Sequence, residues 1–165
     1  DSKRYSRWSK YAREYQSFRG KFVGTKLAEH NNDSQSLGPS ANYIISQLPN
    51  NRKYAKSVAK YFSDTQKSIT EMYRVLKPGG KACIIIGNTT LAGTEIKNAE
   101  VTAEQMQDAG FIIKNVIKRE LSNKMITPWR DRVSGRFTNT NNVKKMRVYE
   151  HEFLVIAEKP STLSN

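Results

Sequence analysis

Residues 52–87, RKYAKSVAKYFSDTQKSITEMYRVLKPGGKACIIIG, read as a long amphipathic helix, an enforced stop and a buried strand in succession. This stretch decides what kind of sheet the chain builds. Tyr54, Val58, Tyr61, Phe62, Thr65, Ile69, Met72, Tyr73, Val75 and Leu76 recur at helical spacing and all but Thr65 are apolar, while lysines at 53, 56, 60 and 67 fill the other side. Pro78 cannot continue a helix and Gly79–Gly80 free the backbone to reverse, so the helix is expected to end at about Leu76. Ala82-Cys83-Ile84-Ile85-Ile86 is an unbroken apolar run rather than an alternating one, which predicts a strand covered on both faces. A helix feeding such a strand is half of a β-α-β crossover and predicts a largely parallel, right-handed α/β unit.

Downstream, residues 95–109, EIKNAEVTAEQMQDA, place Ile96, Ala99, Val101, Ala103 and Met106 on a modest apolar face and predict a second helix that Gly110 stops. Residues 111–121, FIIKNVIKREL, and 149–159, YEHEFLVIAEK, read as strands, and 160–165 as a frayed tail. Between them, residues 122–148 hold neither a helical nor a strand period. Two strands joined without a crossover helix pair antiparallel, so the last strand is expected to run against strands 81–87 and 111–121. The polar turn Gly87-Asn88-Thr89-Thr90 has two readings: the ligand-facing end of a parallel strand, or a turn whose Asn and Thr cap the next helix.

Upstream, Trp8, Tyr11, Tyr15, Phe18 and Phe22 recur at helical spacing among Lys and Arg residues. The stripe reads as a core face, or as stacking faces beside phosphate-seeking cations; both hold if the rings pack inward and the cations face out. Residues 28–51 are rich in Asn, Ser, Gly and Pro and predict a long loop around one short apolar turn, 43–48, with Asn50–Asn51 capping the long helix. His30 has no second ligand at metal-binding spacing, so no metal site is expected.

The 165 residues suffice for one domain, and although only 37% are hydrophobic, the long periodic segments argue for a folded chain with polar loops. No run approaches the roughly 18 apolar residues of a membrane span, and the basic start lacks a following apolar core. The chain is therefore expected to be soluble and cytoplasmic. Cys83 is the single cysteine, which excludes a disulfide framework. The 28 basic residues against 15 acidic ones give a net charge of +13 and imply a polyanionic partner. Residues 1–53 hold ten Lys and Arg against four acids and residues 112–150 ten against three, which together carry the whole excess.

The phrase MYRVLKPGGKACIIIG resembles the helix, Leu-Lys-Pro-Gly-Gly turn and fifth strand of the class I S-adenosylmethionine-dependent methyltransferases. The order of helix, turn, strand, helix, strand and strand over residues 52–159 is similar to that family's ending, whose seventh strand is inserted antiparallel. The resemblance implies an α/β fold, the carboxyl-terminal half of a Rossmann-like methyltransferase sheet with its last strand antiparallel. Residues 1–159 would form a partial methyltransferase domain, divided into a basic aromatic segment and loop (1–51) and an α/β half (52–159). The basic aromatic start and the Pro128-Trp129-Arg130 loop most resemble the amino-group DNA methyltransferases (adenine-N6 or cytosine-N4) of restriction–modification type. That implies DNA as partner and S-adenosylmethionine as cofactor of the parent enzyme.

In such enzymes the exocyclic amine is a weak nucleophile, so the base is extruded and held by a Ser/Asp/Asn-Pro-Pro-Tyr motif. Methyl transfer then depends on alignment more than on acid–base power. This chain contains no such tetrapeptide, no Gly-rich cofactor loop and no matching acidic residue after a second strand, so no catalytic or cofactor-binding residue is named. The chain is expected to be the portion that follows the catalytic motif, to be inactive alone, and to have the amino-terminal half of the same enzyme as a partner. The expected nucleic-acid contacts are Lys3, Arg4 and Arg7 at the start and Lys124, Trp129, Arg130, Arg132 and Arg136 in the loop 124–136, KMITPWRDRVSGR. Pro128 and Gly135 are expected to keep that loop irregular. The structural alternative has Trp129 capping the sheet edge and Arg130 paired with Asp131 or Glu120. Two other functions fit the same residues: an RNA methyltransferase of this fold, or a non-catalytic basic nucleic-acid-binding module.

Overall fold

The computed structural model describes residues 11–12, 14–15, 17–18, 22–23, 37–49, 52–121, 127, 129–133, 136–147 and 151–161. In chain order its elements are α1 (Pro39–Ser46), α2 (Arg52–Val75), β1 (Lys81–Ile86), β2 (Thr89–Leu91), β3 (Thr94–Ile96), α3 (Asn98–Asp108), β4 (Ile112–Glu120), β5 (Trp129–Asp131), β6 (Lys145–Arg147) and β7 (His151–Glu158).

α2 forms where the apolar spacing places it and stops one residue before Leu76. Its 24 residues span roughly 36 Å, long enough to serve two separate cores. Val58 and Phe62 pack with Ala41, Ile44, Leu48, Ile96 and Val101 at one end. Ile69 packs with Ala82, Met106, Phe111, Val155 and Ala157 at the other, backed by Met72, Tyr73 and Leu76. Phe62 and Ile69 are almost completely buried, each side chain contributing about 1.5–3 kcal/mol of hydrophobic stabilisation. The stop is reinforced from a distance: Lys159 Nζ donates to the carbonyls of Tyr73 (2.7 Å) and Leu76 (2.8 Å) and lies 4.6 Å from the Tyr73 ring centroid. A cation there satisfies the last carbonyls of the helix and the negative end of its dipole. The backbone of Lys159 exchanges hydrogen bonds with Gly79 and Gly80, both 2.8 Å, which fixes the side chain at the helix end.

The main sheet has the order β1-β7-β4. β7 runs antiparallel to both neighbours, from Lys81↔Glu158 to Ile86↔Phe153 on one side and from Ile112↔Glu158 to Glu120↔His151 on the other, as the missing crossover predicts. The register shifts between Ile113 and Asn115, a bulge that bends β4. The expectation of a largely parallel unit is corrected: β1 and β4 point the same way, but β7 is inserted between them, so every hydrogen-bonded strand pair among the described residues is antiparallel.

The expectation of a doubly covered β1 is corrected as well. α2 and α3 both pack against the face carrying Ala82, Val155 and Ala157, so the residues of β1 alternate. Ala82 is buried, whereas Cys83 is exposed and Ile85 is 59% exposed. An unbroken apolar run fits either environment, and here tertiary packing decides which one applies.

Three smaller elements depart from the sequence reading. The supposed long loop holds α1, because Gly38 adopts φ +84°, Pro39 starts the helix, and the Ser40 backbone N–H donates to Glu104 Oε2 of α3 at 3.0 Å. The cap thus comes from 64 residues away. Residues 89–96 form the hairpin β2–β3, with Ala92 (φ 49°) and Gly93 (φ 84°) in a two-residue left-handed turn. α3 therefore starts at Asn98 rather than residue 95 and ends before Gly110, whose φ is 101°. Residues 11, 12, 14, 15, 17 and 18 have helical backbone, as the ring spacing predicts. The reading of the stripe as a core face is corrected: Tyr11, Tyr15, Phe18 and Phe22 are each more than half exposed, with Phe18 and Phe22 in edge contact at 5.1 Å. Among the described residues no helix is long and apolar enough to cross a membrane.

Candidate nucleic-acid interface

Of the expected contacts, Lys3, Arg4, Arg7 and Lys124 lie outside the described residues, as do Trp8 and His30. Trp129, Arg130, Arg132 and Arg136 fall in or beside a small β unit, and the expectation of an irregular loop is corrected for Trp129–Asp131, while Pro128 and Gly135 lie outside the described residues. β5 pairs antiparallel with β6, Trp129↔Arg147, Arg130↔Met146 and Asp131↔Lys145, and Phe137 bridges Arg130 on the other edge. Sequence reasoning misses this pairing because each strand is three residues long, too short to show a period.

Strand alternation places Trp129 and Asp131 on one side of the unit and Arg130 on the other. Each ring carries a cation: Lys145 Nζ lies 5.3 Å from the Trp129 ring centroid and Arg130 Cζ 4.2 Å from that of Phe137. Trp129 is therefore held within this unit under Lys145. Asp131 accepts the Val133 backbone N–H on Oδ1 (2.9 Å) and Asn142 Nδ2 on Oδ2 (2.8 Å).

Two backbone bonds gather the exposed cations. The Asp131 N–H donates to the Arg136 carbonyl at 2.9 Å and the Arg132 N–H to the Lys144 carbonyl at 3.0 Å. Arg132, Arg136 and Lys144, all exposed, thus share one end of the unit. Lys144 and Lys145 belong to the counted basic block, but nothing in the sequence puts them beside Arg132 and Trp129. The Asn-rich turn before them, residues 138–142, is the available signal that the chain doubles back. Elsewhere in the block Lys114 lies 3.5 Å from Glu158, and Arg119 pairs with Glu152.

The turn after β1 follows its capping reading at Asn88, whereas Thr89 and Thr90 belong to β2. Asn88 Oδ1 accepts the Ala99 N–H at the start of α3 (3.0 Å), and Asn98 Nδ2 donates to the Gly87 carbonyl (2.9 Å). These bonds occupy the carboxyl end of β1. Among the described residues no group of His, Cys, Asp and Glu is placed to hold a metal ion. What the arrangement offers chemically is fixed positive charge beside aromatic rings, suited to phosphate and base contact.

The fold and this surface define a mixed α/β domain with one strongly basic hairpin unit. The chain belongs to the DNA methylase family, whose N6/N4 family model matches residues 29–162. No curated protein matches it. Among solved structures it is similar to TTHA0409 of Thermus thermophilus, described as a candidate DNA modification methylase. In that protein's complex with S-adenosyl-L-methionine the identity is 16%, with 78% of this chain and 56% of that chain covered and a TM-score of 0.47. For its selenomethionine derivative the identity is 15%, with 76% and 52% covered and a TM-score of 0.46. The chain spans about half the length of these structures.

Proposed function

We propose that the chain is the carboxyl-terminal portion of a site-specific DNA methyltransferase of the amino-group type, adenine-N6 or cytosine-N4, in a restriction–modification setting in the cytoplasm. S-adenosylmethionine is the methyl donor of the whole enzyme. In this reading β1, β7 and β4 are one end of a Rossmann-like sheet, residues 1–159 are a partial methyltransferase domain, and the amino-terminal half supplies the cofactor seat and the catalytic motif. No residue of this chain is assigned to that seat: Asn88 and Asn98 tie the turn after β1 to the start of α3, and the sequence carries no Gly-rich loop of the G-x-G type. No step of methyl transfer is therefore assigned to its residues.

What this chain contributes is grip on the nucleic acid. The observation that carries the reading, beside membership of a DNA methylase family, is the convergence of Arg132, Arg136 and Lys144 on one end of the β5–β6 unit. Lys3, Arg4, Arg7 and Lys124 add positive charge elsewhere in the sequence, and Trp129 and Arg130 are read as further contacts to a base or a sugar. Cations that neutralise phosphates release counterions, so each ordered contact steepens the salt dependence of binding by about 0.9 of a logarithmic unit.

The test is Arg132→Ala with Lys144→Ala, measured for duplex DNA affinity across a salt series and for thermal stability. The double variant is expected to bind all duplex sequences more weakly, with a salt slope lower by about two, and to melt like the wild type. Unchanged affinity with a lowered melting temperature makes the unit scaffold and removes the DNA reading of this surface. Tighter binding to duplex RNA than to duplex DNA supports the RNA methyltransferase alternative.

A further inference from the structure

We propose that Asp131 and Asn142 are positioning residues for phosphate contact, so that an acidic side chain inside a basic surface strengthens nucleic-acid binding. The inference rests on the nucleic-acid reading of the β5–β6 unit and deepens it. Elementary electrostatics gives the opposite sign, since an anion among cations lowers the potential that attracts a polyanion.

The geometry explains why the sign reverses. Asp131 is half-buried on the central strand of the unit, between β6 and the residue that bridges Arg130. Its Oδ1 holds the Val133 N–H, which shapes the turn carrying Arg132. Its Oδ2 holds Asn142 Nδ2 at 2.8 Å, and that amide also donates to Thr138 Oγ1 at 3.1 Å. Asn142 Oδ1 in turn accepts the Lys144 N–H at 2.7 Å. One carboxylate and one amide therefore tie the segment after β5 to the segment before β6. The Arg132 N–H to Lys144 carbonyl bond sits between those two ties. A cation on a loop that must be ordered at the moment of binding loses conformational entropy against its phosphate contact. Cations already ordered by Asp131 and Asn142 lose less.

The experiment uses the full chain with a fluorescently labelled random-sequence DNA duplex, read by anisotropy between about 50 and 200 mM salt. Asp131→Ala, Asp131→Asn, Asn142→Ala and the double variant Asp131→Ala with Asn142→Ala are compared with wild type. Asp131→Ala is expected to bind about 3- to 10-fold more weakly, the loss of one to two hydrogen bonds' worth of order. Its salt slope should fall by about one unit for each cation released. Asn142→Ala, which changes no charge, should also weaken binding and lower the slope, and the double variant should lose less than the sum of the two single losses, because the two side chains share the bond between Asp131 Oδ2 and Asn142 Nδ2. Asp131→Asn keeps an acceptor oxygen and should fall between Asp131→Ala and wild type. A general loss of structure would lower the melting temperature without this ordering of the four slopes, and that result counts against the positioning role. Asp131→Ala and Asp131→Asn binding as tightly as wild type or tighter, with an undiminished slope, overturns the positioning role while leaving the DNA reading in place. Wild type showing no salt-dependent duplex binding overturns both.

Discussion

Gly110→Ala tests how the sheet end of the core is built. Gly110 closes α3 at φ 101°, outside the region that L side chains adopt readily. A Cβ placed there lies 3.0 Å from both Cζ and the hydroxyl of Tyr73. The tyrosine has little freedom to move aside: its ring meets Phe111 edge-on at 4.9 Å and carries Lys159 at 4.6 Å. The backbone conformation costs about 1–2 kcal/mol, and overpacking against a pinned ring adds about 1–3 kcal/mol. A total of about 2–5 kcal/mol corresponds to a fall in Tm of roughly 4–20 °C for a chain of this size. Gly93→Ala is the matched control, because Gly93 has φ 84° with nothing within 4 Å of the added Cβ. It isolates the backbone cost and should fall by only about half as much. Scanning calorimetry or far-ultraviolet dichroism on the three proteins reads the difference. If the two alanine variants melt together, Tyr73 does not fill the space over Gly110 and the packing described for α2, α3 and β4 is wrong.

Two further outcomes concern the same core. Lys159→Met removes both bonds to the last carbonyls of α2 and should cost about 1–2 kcal/mol, read as a lower Tm and as faster amide exchange after Tyr73; an unchanged Tm counts against the distant cap. Gln105 is buried, donates to the Phe62 carbonyl at 2.9 Å and leaves Oε1 without a partner among the described residues. Gln105→Met, which keeps the volume and removes the unsatisfied oxygen, should therefore change stability by less than about 1.5 kcal/mol, and a larger loss in urea denaturation would show that Gln105 holds α3 on α2.

Local chemistry was legible where a signal is repeated or enforced. The long helix and its stop at Pro78–Gly80 follow from periodicity over many turns together with two residues that cannot do otherwise. The three strands of the main sheet and the antiparallel insertion of the last follow from apolar runs and the missing crossover. The two basic blocks, and with them the expectation of a polyanionic partner, are properties of composition and need no fold. Tertiary structure alone decided the rest, because the deciding partners are far apart in sequence. α1 exists through a carboxylate of α3 and an apolar face that α2 covers. β1 is covered on one face only, since α2 and α3 lie on the same side of a run that suits either environment. Above all, which cations lie together was not separable by counting. Lys114 and Arg119 face acids across the sheet, and Arg132, Arg136 and Lys144 are brought to one end of a unit whose strands are each too short to carry a pattern, by backbone pairing across a dozen residues.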